Sequence, residues 1–281
     1  MIKVNGEEIK IEHFPDGTQR LKMNCEFCEK EYVISWVYEK EEELSTLIYI
    51  TRHLRNLPQP SNPDVQKIYL VLSYLPNARM DRIKSYSEVF TLKYFCDVIN
   101  WLNFDVVQIL DVHSNVGAAL LDRVNVLDSR DFIYDAIYHI EKDDSELILF
   151  FPDEGCVKRL ADMFPRYKWI SSQKKRDWET GKILGLDITT NGIDLNGKTI
   201  LMCDDIVSYG GSFKYSADKL KELGVGKIYA YATHTENSVL NRKKGTLIKS
   251  LEDGTVERLF TTDSLFTGKH EKITIVDRRL D

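Results

Sequence analysis

The stretch that most restricts the fold is ILMCDDIVSYGGS, residues 200–212, together with the run behind it. Ile200, Leu201, Met202 and Cys203 read as a short buried strand, and Asp204 and Asp205 sit where that strand is expected to end. Gly210, Gly211 and Ser212 form a tight loop. Phe213, Ala217, Leu220 and Leu223 then recur at spacings of four, three and three, which is one face of a helix. Gly224 and Gly226 stop that helix, and residues 227–232 read as a second strand. Strand, glycine loop, helix and strand make a βαβ unit. Its loop lies at the carboxyl end of the strand, where open α/β sheets take ligands.

Glycines ahead of a helix N-terminus offer backbone N–H groups to a phosphate. Two carboxylates beside such a cradle would repel a bare phosphate. They fit as acceptors for sugar hydroxyls, or as ligands to a metal that neutralises the phosphate. Acid pair and phosphate loop together point to a phosphorylated sugar. Taken alone, the segment reads equally as a solvated acidic loop followed by a turn, because GGS is weaker than a full phosphate-loop pattern.

The chain has 281 residues, room for two domains at roughly 100–200 residues each. A net charge of −6 gives no electrostatic footprint for a nucleic acid polymer, so anionic substrates must be handled by local basic clusters. No stretch approaches the ~20 apolar residues of a membrane helix, and MIKVNGEEIK is too charged for a signal peptide. The expected setting is the cytoplasm, with no membrane partner. Five scattered cysteines make no disulfide framework. Cys25 and Cys28 form a C-x-x-C without a second pair at zinc spacing. They read as reduced thiols, with a metal or redox role as the other reading.

Along the chain, residues 2–11, 19–24 and 33–37 are expected strands, with a turn at His13–Gly17. Leu44, Leu47, Ile48 and Leu54 mark a helix that ends before Pro58 and Pro60. KIYLVLSYL, residues 67–75, is strongly strand-like and runs into Pro76–Arg82. Arg79 and Arg82 flank Asp81 closely enough to clamp a polyphosphate, since Arg forks match phosphate oxygens; by itself the trio also reads as a surface ion-pair cluster. Val89, Leu92, Cys96, Ile99 and Leu102 define a helix, and VVQIL, residues 106–110, a buried strand leading to Asp111 and His113. Alone, His113 reads more simply as a structural hydrogen-bonder than as a metal ligand. Residues 132–140 form the next helix, and LILFF, residues 147–151, a strand that ends in Pro152-Asp153-Glu154-Gly155. A helix marked by Val157, Leu160 and Phe164 follows. Lys174, Lys175 and Arg176 fall in a stretch without period that extends to Gly185, a solvated loop or an anion-closing lid. Residues 256–262 and 272–276 are late strands.

Strand, loop and helix recur in both halves. The expected fold is therefore α/β with two similar, largely parallel sheets flanked by helices, one domain over 1–130 and one over 131–281.

YLPNARMDR, ILDVHS, FFPDEGCVKR, SSQKKRD and LMCDDIVSYGGS occur in this order. Together they resemble the ribose-phosphate diphosphokinase family, and CDDIVSYGGS alone resembles the ribose-phosphate loop of the wider type I phosphoribosyltransferases. The resemblance covers roughly residues 12–275. It implies two tandem phosphoribosyltransferase-type domains. It also implies Mg²⁺-dependent transfer of a diphosphoryl group from ATP to the anomeric hydroxyl of a ribose 5-phosphate unit, with release of AMP. Such chemistry is mostly positioning and charge neutralisation. By motif, Arg79, Asp81 and Arg82 would serve ATP. His113 and Asp153 would bind Mg²⁺, directly or through water. Lys174 and Arg176 would stabilise the transferring group. Asp204 and Asp205 would hold the ribose hydroxyls, and Ser208, Tyr209, Gly210, Gly211 and Ser212 would cradle the 5-phosphate. Phe14 and Asp16 match a turn that in the family reaches the adenine of a neighbouring subunit, which implies a homo-oligomer.

Several positions depart from the family. Its loop normally reads Asp-Thr-Gly-Gly-Thr, where this chain has Ser208, Tyr209, Gly210, Gly211 and Ser212. An acid is gone, and a small hydroxyl has become a large aromatic. Either the loop has drifted neutrally, or the acceptor is larger than ribose 5-phosphate, for example the ribose end of ADP-ribose. Met80 replaces a glutamine and Thr18 an acid, both near expected adenine contacts. Relative to the family, a first strand and helix and part of the C-terminus are missing, so hexamers and allosteric phosphate control are not expected to carry over. The competing expectations are a phosphoribosyltransferase and a non-catalytic regulatory subunit. The product would feed nucleotide, amino-acid or pyridine-nucleotide (NAD) synthesis.

Overall fold

The protein is described here by a computed structural model that covers residues 1–23, 30–57, 67–141, 146–176 and 183–277. Cys25 and Cys28 lie outside the described residues. The chain divides into two compact units, Met1–Asp128 and Ser129–Asp281.

The first unit carries β1 (Ile2–Val4), β2 (Glu7–Glu8), β3 (Lys10–His13), β4 (Gln19–Lys22), β5 (Glu31–Trp36), α1 (Glu43–Arg55), β6 (Lys67–Leu72), α2 (Thr91–Trp101), β7 (Val106–Leu110), α3 (Asn115–Leu120) and β8 (Val124–Leu127). Its main sheet has the order β2-β1-β5-β6-β7-β8, with β5 to β8 mutually parallel and β1 and β2 joined antiparallel. Tyr32, Ile34, Trp36, Ile68, Leu70, Leu72, Val107 and Ile109 alternate into one core, covered by Leu47, Ile50 and Leu54 of α1 and Leu92, Phe95 and Ile99 of α2. β3 and β4 form a separate hairpin.

The second unit carries α4 (Arg130–Glu141), β9 (Leu147–Phe151), α5 (Glu154–Leu160), β10 (Lys168–Arg176), β11 (Ile183–Thr189), β12 (Thr199–Val207), α6 (Gly211–Glu222), β13 (Lys227–Thr235), α7 (Leu247–Glu252), β14 (Leu259–Thr261) and β15 (Ile273–Ile275). The sheet order is β11-β10-β9-β12-β13-β14-β15, all parallel except the antiparallel edge strand β11. Both faces are buried, which is why β9 reads as an unbroken apolar run. Ile148 and Phe150 enter one core with Ile200, Met202, Ile228 and Ala230. Leu147, Leu149 and Phe151 enter the other with Leu201, Cys203 and Tyr231. From β9 the chain passes to β10 on one side, while β12 takes the other side. That makes the carboxyl ends of β9 and β12 a topological switch point, the usual ligand position in such a sheet.

Three expectations need correction. The strand expected over residues 2–11 is broken by a turn at Asn5 and Gly6, both in the left-handed region, into β1, β2 and the start of β3. Asp204 and Asp205 do not follow the strand. They lie inside β12, which continues to Val207 because Ile206 and Val207 still pair with His234 and Thr235. Lys174, Lys175 and Arg176 are not in a loop either. Their backbone belongs to β10, where Lys174 pairs with Leu186 and Lys175 with Gly185 on β11. Ladder pairing satisfies backbone groups whatever the side chains are, so an edge hairpin need not show an apolar period. α3, β8, β11 and α7 are likewise short elements without a strong apolar period.

Candidate functional site

In the second unit, three carboxylates border α5: Asp153 at its start, Asp204 beside Cys156 and Asp205 beside Arg159 in the last turn. Asp153 is extended at φ −163° and caps the helix, its Oδ1 accepting the Cys156 N–H at 3.0 Å. Ser172 of β10 donates to the Pro152 carbonyl at 3.0 Å and holds this turn against the sheet. Asp204 Oδ1 accepts the Asp205 N–H at 3.0 Å and lies 3.5 Å from Cys156 Sγ. Asp205 is buried, and its Oδ1 is 3.7 Å from Nη2 of Arg159 on α5. Burial, and then the Asp204 charge, push the Cys156 thiol well above its ordinary value. Buried in the core, Cys156 fits a structural thiol.

The phosphate-type loop stands beside this cluster. Gly210 is the N-cap of α6 in the left-handed region, at φ +84°. Gly211 has an ordinary backbone, and a Cβ placed on it would meet nothing within 4 Å. The first N–H groups of a helix have no acceptor within it. At α6 the space along the Gly211 Cβ direction is open, and such helix starts are common anion sites. Tyr209 is half exposed, and its carbonyl accepts from the Thr246 N–H at 2.8 Å, the Leu247 N–H at 3.2 Å and the Thr246 hydroxyl at 3.0 Å. These bonds fasten the 241–246 turn to the loop. They bring Lys244 Nζ to 5.9 Å from the centre of the Tyr209 ring, within cation–π range. Ser208 donates to Glu236 Oε2 at 2.5 Å. Below the loop, Thr262 donates to the Thr233 carbonyl at 2.7 Å, and His234 Nδ1 lies 2.8 Å from Ser264 Oγ. Both pairs are buried and tie β13 to the segment after β14.

In the first unit, the Pro76–Arg82 turn follows β6 and the His113 turn follows β7. A Cβ on Gly117 of α3 would come within 2.6 Å of Leu75 Cδ2, so the glycine lets these two turns pack closely. Arg82 Nε and Nη2 donate to the two Asp81 oxygens at 2.9 and 3.3 Å. That fork holds the Asp81 carboxyl below the usual carboxylate range, and the neighbouring Ser114 and His113 act in the same direction. Asp81, Arg82 and His113 are thus brought together, with exposed Arg79 on the same turn. Asp111 between β7 and His113 has φ +40°, a strained conformation of the kind that clusters at functional turns. On the β3–β4 hairpin tip, Phe14 is 50% exposed. Asp16 Oδ1 accepts the Thr18 N–H at 3.0 Å and the Thr18 hydroxyl at 2.7 Å. The Thr18 hydroxyl hydrogen bond, and then its N–H, hold the Asp16 carboxyl below its ordinary value.

Sequence reasoning did not single out Arg159 or Glu236. Arg159 stands three residues after Cys156 on α5, in a helix whose spacing was read only for its apolar face. Glu236 lies one residue beyond β13, and only the register of β12 on β13 brings it to Ser208.

Among the described residues, no three His, Cys, Asp or Glu side chains are placed to hold a metal ion together. Asp153 supplies a hard oxygen donor at the start of α5, the ligand type Mg²⁺ takes, and Mg²⁺ keeps several waters and needs few protein ligands. Among those residues, no helix is long and apolar enough to cross a membrane.

Two units with largely parallel sheets, and a glycine loop at a switch point opening into a helix, define a protein of the phosphoribosyltransferase-type fold. The phosphoribosylpyrophosphate synthetase from Mycobacterium smegmatis has the same fold, with a TM-score of 0.73 over 96% of this chain and 85% of that one, at 16% identity. No family model matches the chain. It is 26% identical over 232 residues to the ribose-phosphate pyrophosphokinase of Pyrococcus furiosus, covering 80% of this chain and 77% of that one. It is 25% identical over 269 residues to ribose-phosphate pyrophosphokinase 2 of Archaeoglobus fulgidus, covering 94% and 89%. The resemblance read from the five motifs therefore extends over most of the chain, and the relatives that share it are enzymes.

Proposed function

We propose that the protein is an ATP-dependent diphosphokinase. It moves a diphosphoryl group from ATP to the anomeric hydroxyl of a ribose 5-phosphate unit and releases AMP. The observation that carries this reading is the β12–α6 site. Paired carboxylates stand beside a glycine-opened helix N-terminus at the switch point, in a chain whose curated relatives are named for this reaction.

In this reading the first unit serves ATP through Arg79, Asp81, Arg82 and His113, and the second serves the acceptor. Asp204 and Asp205 accept ribose hydroxyls, with Arg159 holding Asp205 in place. The amides of Gly211 and Ser212 receive the 5-phosphate, with Ser208, Tyr209 and Gly210 shaping the loop. Lys174 and Arg176 stabilise the transferring group. Mg²⁺ would neutralise charge on the phosphates, and His113 in the first unit and Asp153 in the second are each proposed to take part in its binding, directly or through water. Phe14, exposed at its hairpin tip, reaches the adenine bound to a neighbouring copy, so the working form is a homo-oligomer.

The acceptor carries more than a bare 5-phosphate. Tyr209 and Lys244 form an aromatic and cationic rim just outside the phosphate loop, suited to a second phosphate or a base beyond the first. ADP-ribose has such groups. The deciding experiment is AMP release from ATP and Mg²⁺ with ribose 5-phosphate and ADP-ribose supplied in parallel. Turnover with both, and a higher kcat/KM for ADP-ribose, is the expected result. A far higher kcat/KM for ribose 5-phosphate sinks the larger acceptor. No AMP with either sinks the diphosphokinase.

A further inference from the structure

Position 208 lacks the carboxylate that the resemblance leads one to expect there, yet the structure brings a carboxylate from the next strand into hydrogen-bond contact with the Ser208 side chain. β12 and β13 are parallel neighbours in register Val207 to Thr235, so the next residues along each strand, Ser208 and Glu236, also stand side by side. The Glu236 N–H donates to the Val207 carbonyl at 2.9 Å and extends the pairing past the strand end. Glu236 Oε2 accepts from the Ser208 hydroxyl at 2.5 Å and from Ser238 Oγ at 3.0 Å. Neighbouring strands are ~4.8 Å apart, a gap that a glutamate side chain spans.

We propose that Glu236 replaces, from β13, the acid missing from position 208, and that it accepts a hydrogen bond from a hydroxyl of the acceptor sugar. This rests on the diphosphokinase reading and adds to it a residue outside every motif that led there. The chemistry limits what Glu236 can face. A carboxylate is an acceptor only, and it is repelled by phosphate. Beside a phosphate cradle its partner is therefore the hydroxyl-bearing part of the ligand. The same repulsion explains the exchange. An Asp at 208 and a Glu at 236 would set two like charges against each other, so a loop of this geometry accommodates one acid, on either strand.

The test is a charge swap read by AMP release and by substrate-induced thermal stabilisation. Glu236→Gln keeps the shape and still accepts from both serines, so a purely structural role predicts turnover within twofold of wild type. The proposal predicts a fall of about 10–100-fold in kcat/KM for the acceptor, the value of one charged hydrogen bond, while ATP still stabilises the protein. Glu236→Ser should fall similarly, and Ser208→Asp should lose turnover by crowding two acids. The double variant Ser208→Asp/Glu236→Ser should regain at least tenfold over Glu236→Ser. Near-normal turnover in Glu236→Gln, or no recovery in the double variant, overturns the assignment of Glu236 alone. Absence of AMP release from wild type overturns the diphosphokinase reading, and this inference with it.

Discussion

A Cβ placed on Gly210 would collide with the Cβ of Leu247 and stand 3.0 Å from the Leu247 backbone nitrogen. The first residue of α7 is thus packed against the N-cap of α6, and Gly210 is doubly required: for this contact and for its φ of +84°. Left-handed backbone costs a residue with a side chain roughly 1–2 kcal/mol, and an overpacked core a similar amount. Gly210→Ala should lower the unfolding free energy by about 2–4 kcal/mol, measured by urea denaturation.

Gly211 is the opposite case. Its Cβ direction is open and its φ is ordinary. Gly211→Ala should leave stability within about 0.5 kcal/mol of wild type. It should weaken ribose 5-phosphate binding about tenfold or more, because the methyl occupies the space offered to the phosphate and displaces its charged hydrogen bonds. Calorimetric titration checks the second effect, and unchanged affinity would remove the phosphate from this loop.

Tyr209 and Lys244 should act on acceptor choice. Tyr209→Thr and Lys244→Ala should each shift the ratio of kcat/KM, ADP-ribose over ribose 5-phosphate, downward by about 5–30-fold, in keeping with a contact of 1–2 kcal/mol. Lys244→Arg should hold the ratio, since an arginine also carries charge over the ring.

Lys174→Ala should cut kcat by about 100-fold or more, as expected when a cation is removed from a developing negative charge. Stabilisation by ATP, followed by thermal shift, should survive. Wild-type turnover in this variant would show that Lys174 is not part of the reaction.

The Asp81–Arg82 fork predicts an acid-sensitive contribution to stability. The Asp81 carboxyl is lowered in the folded state, so its contribution is fully present above the unfolded value of about 3.9 and is lost as pH falls through the folded value. The gap in unfolding free energy between wild type and Asp81→Asn should therefore be larger at pH 7 than at pH 3. Urea titrations at both pH values give the comparison, and an equal gap would show that the fork adds nothing. Arg82 is 74% exposed, so the effect is small and salt-screened.

Much of the fold is legible in local pattern. LILFF of β9 and VVQIL of β7 match their strands residue for residue, because the first is buried on both faces and the second alternates Val107 and Ile109 into the core. α6 is legible for a different reason. Its apolar face, the glycines before it and the glycine after it agree on one element. The strand character of Lys174–Arg176 was not legible, because three consecutive cations show no apolar alternation and backbone pairing with β11 is what places them in the sheet.

The sequence by itself determined the α/β class, the order of the motifs and the loop that opens into α6, since each rests on residues close together in the chain. Only the tertiary structure decided which distant groups meet. Arg159 reaches Asp205, Lys244 reaches the Tyr209 ring, and Glu236 reaches Ser208. The physical reason is the register of parallel strands and the docking of turns on them. Both are set by how two cores pack on either face of one sheet, and no local spacing encodes either.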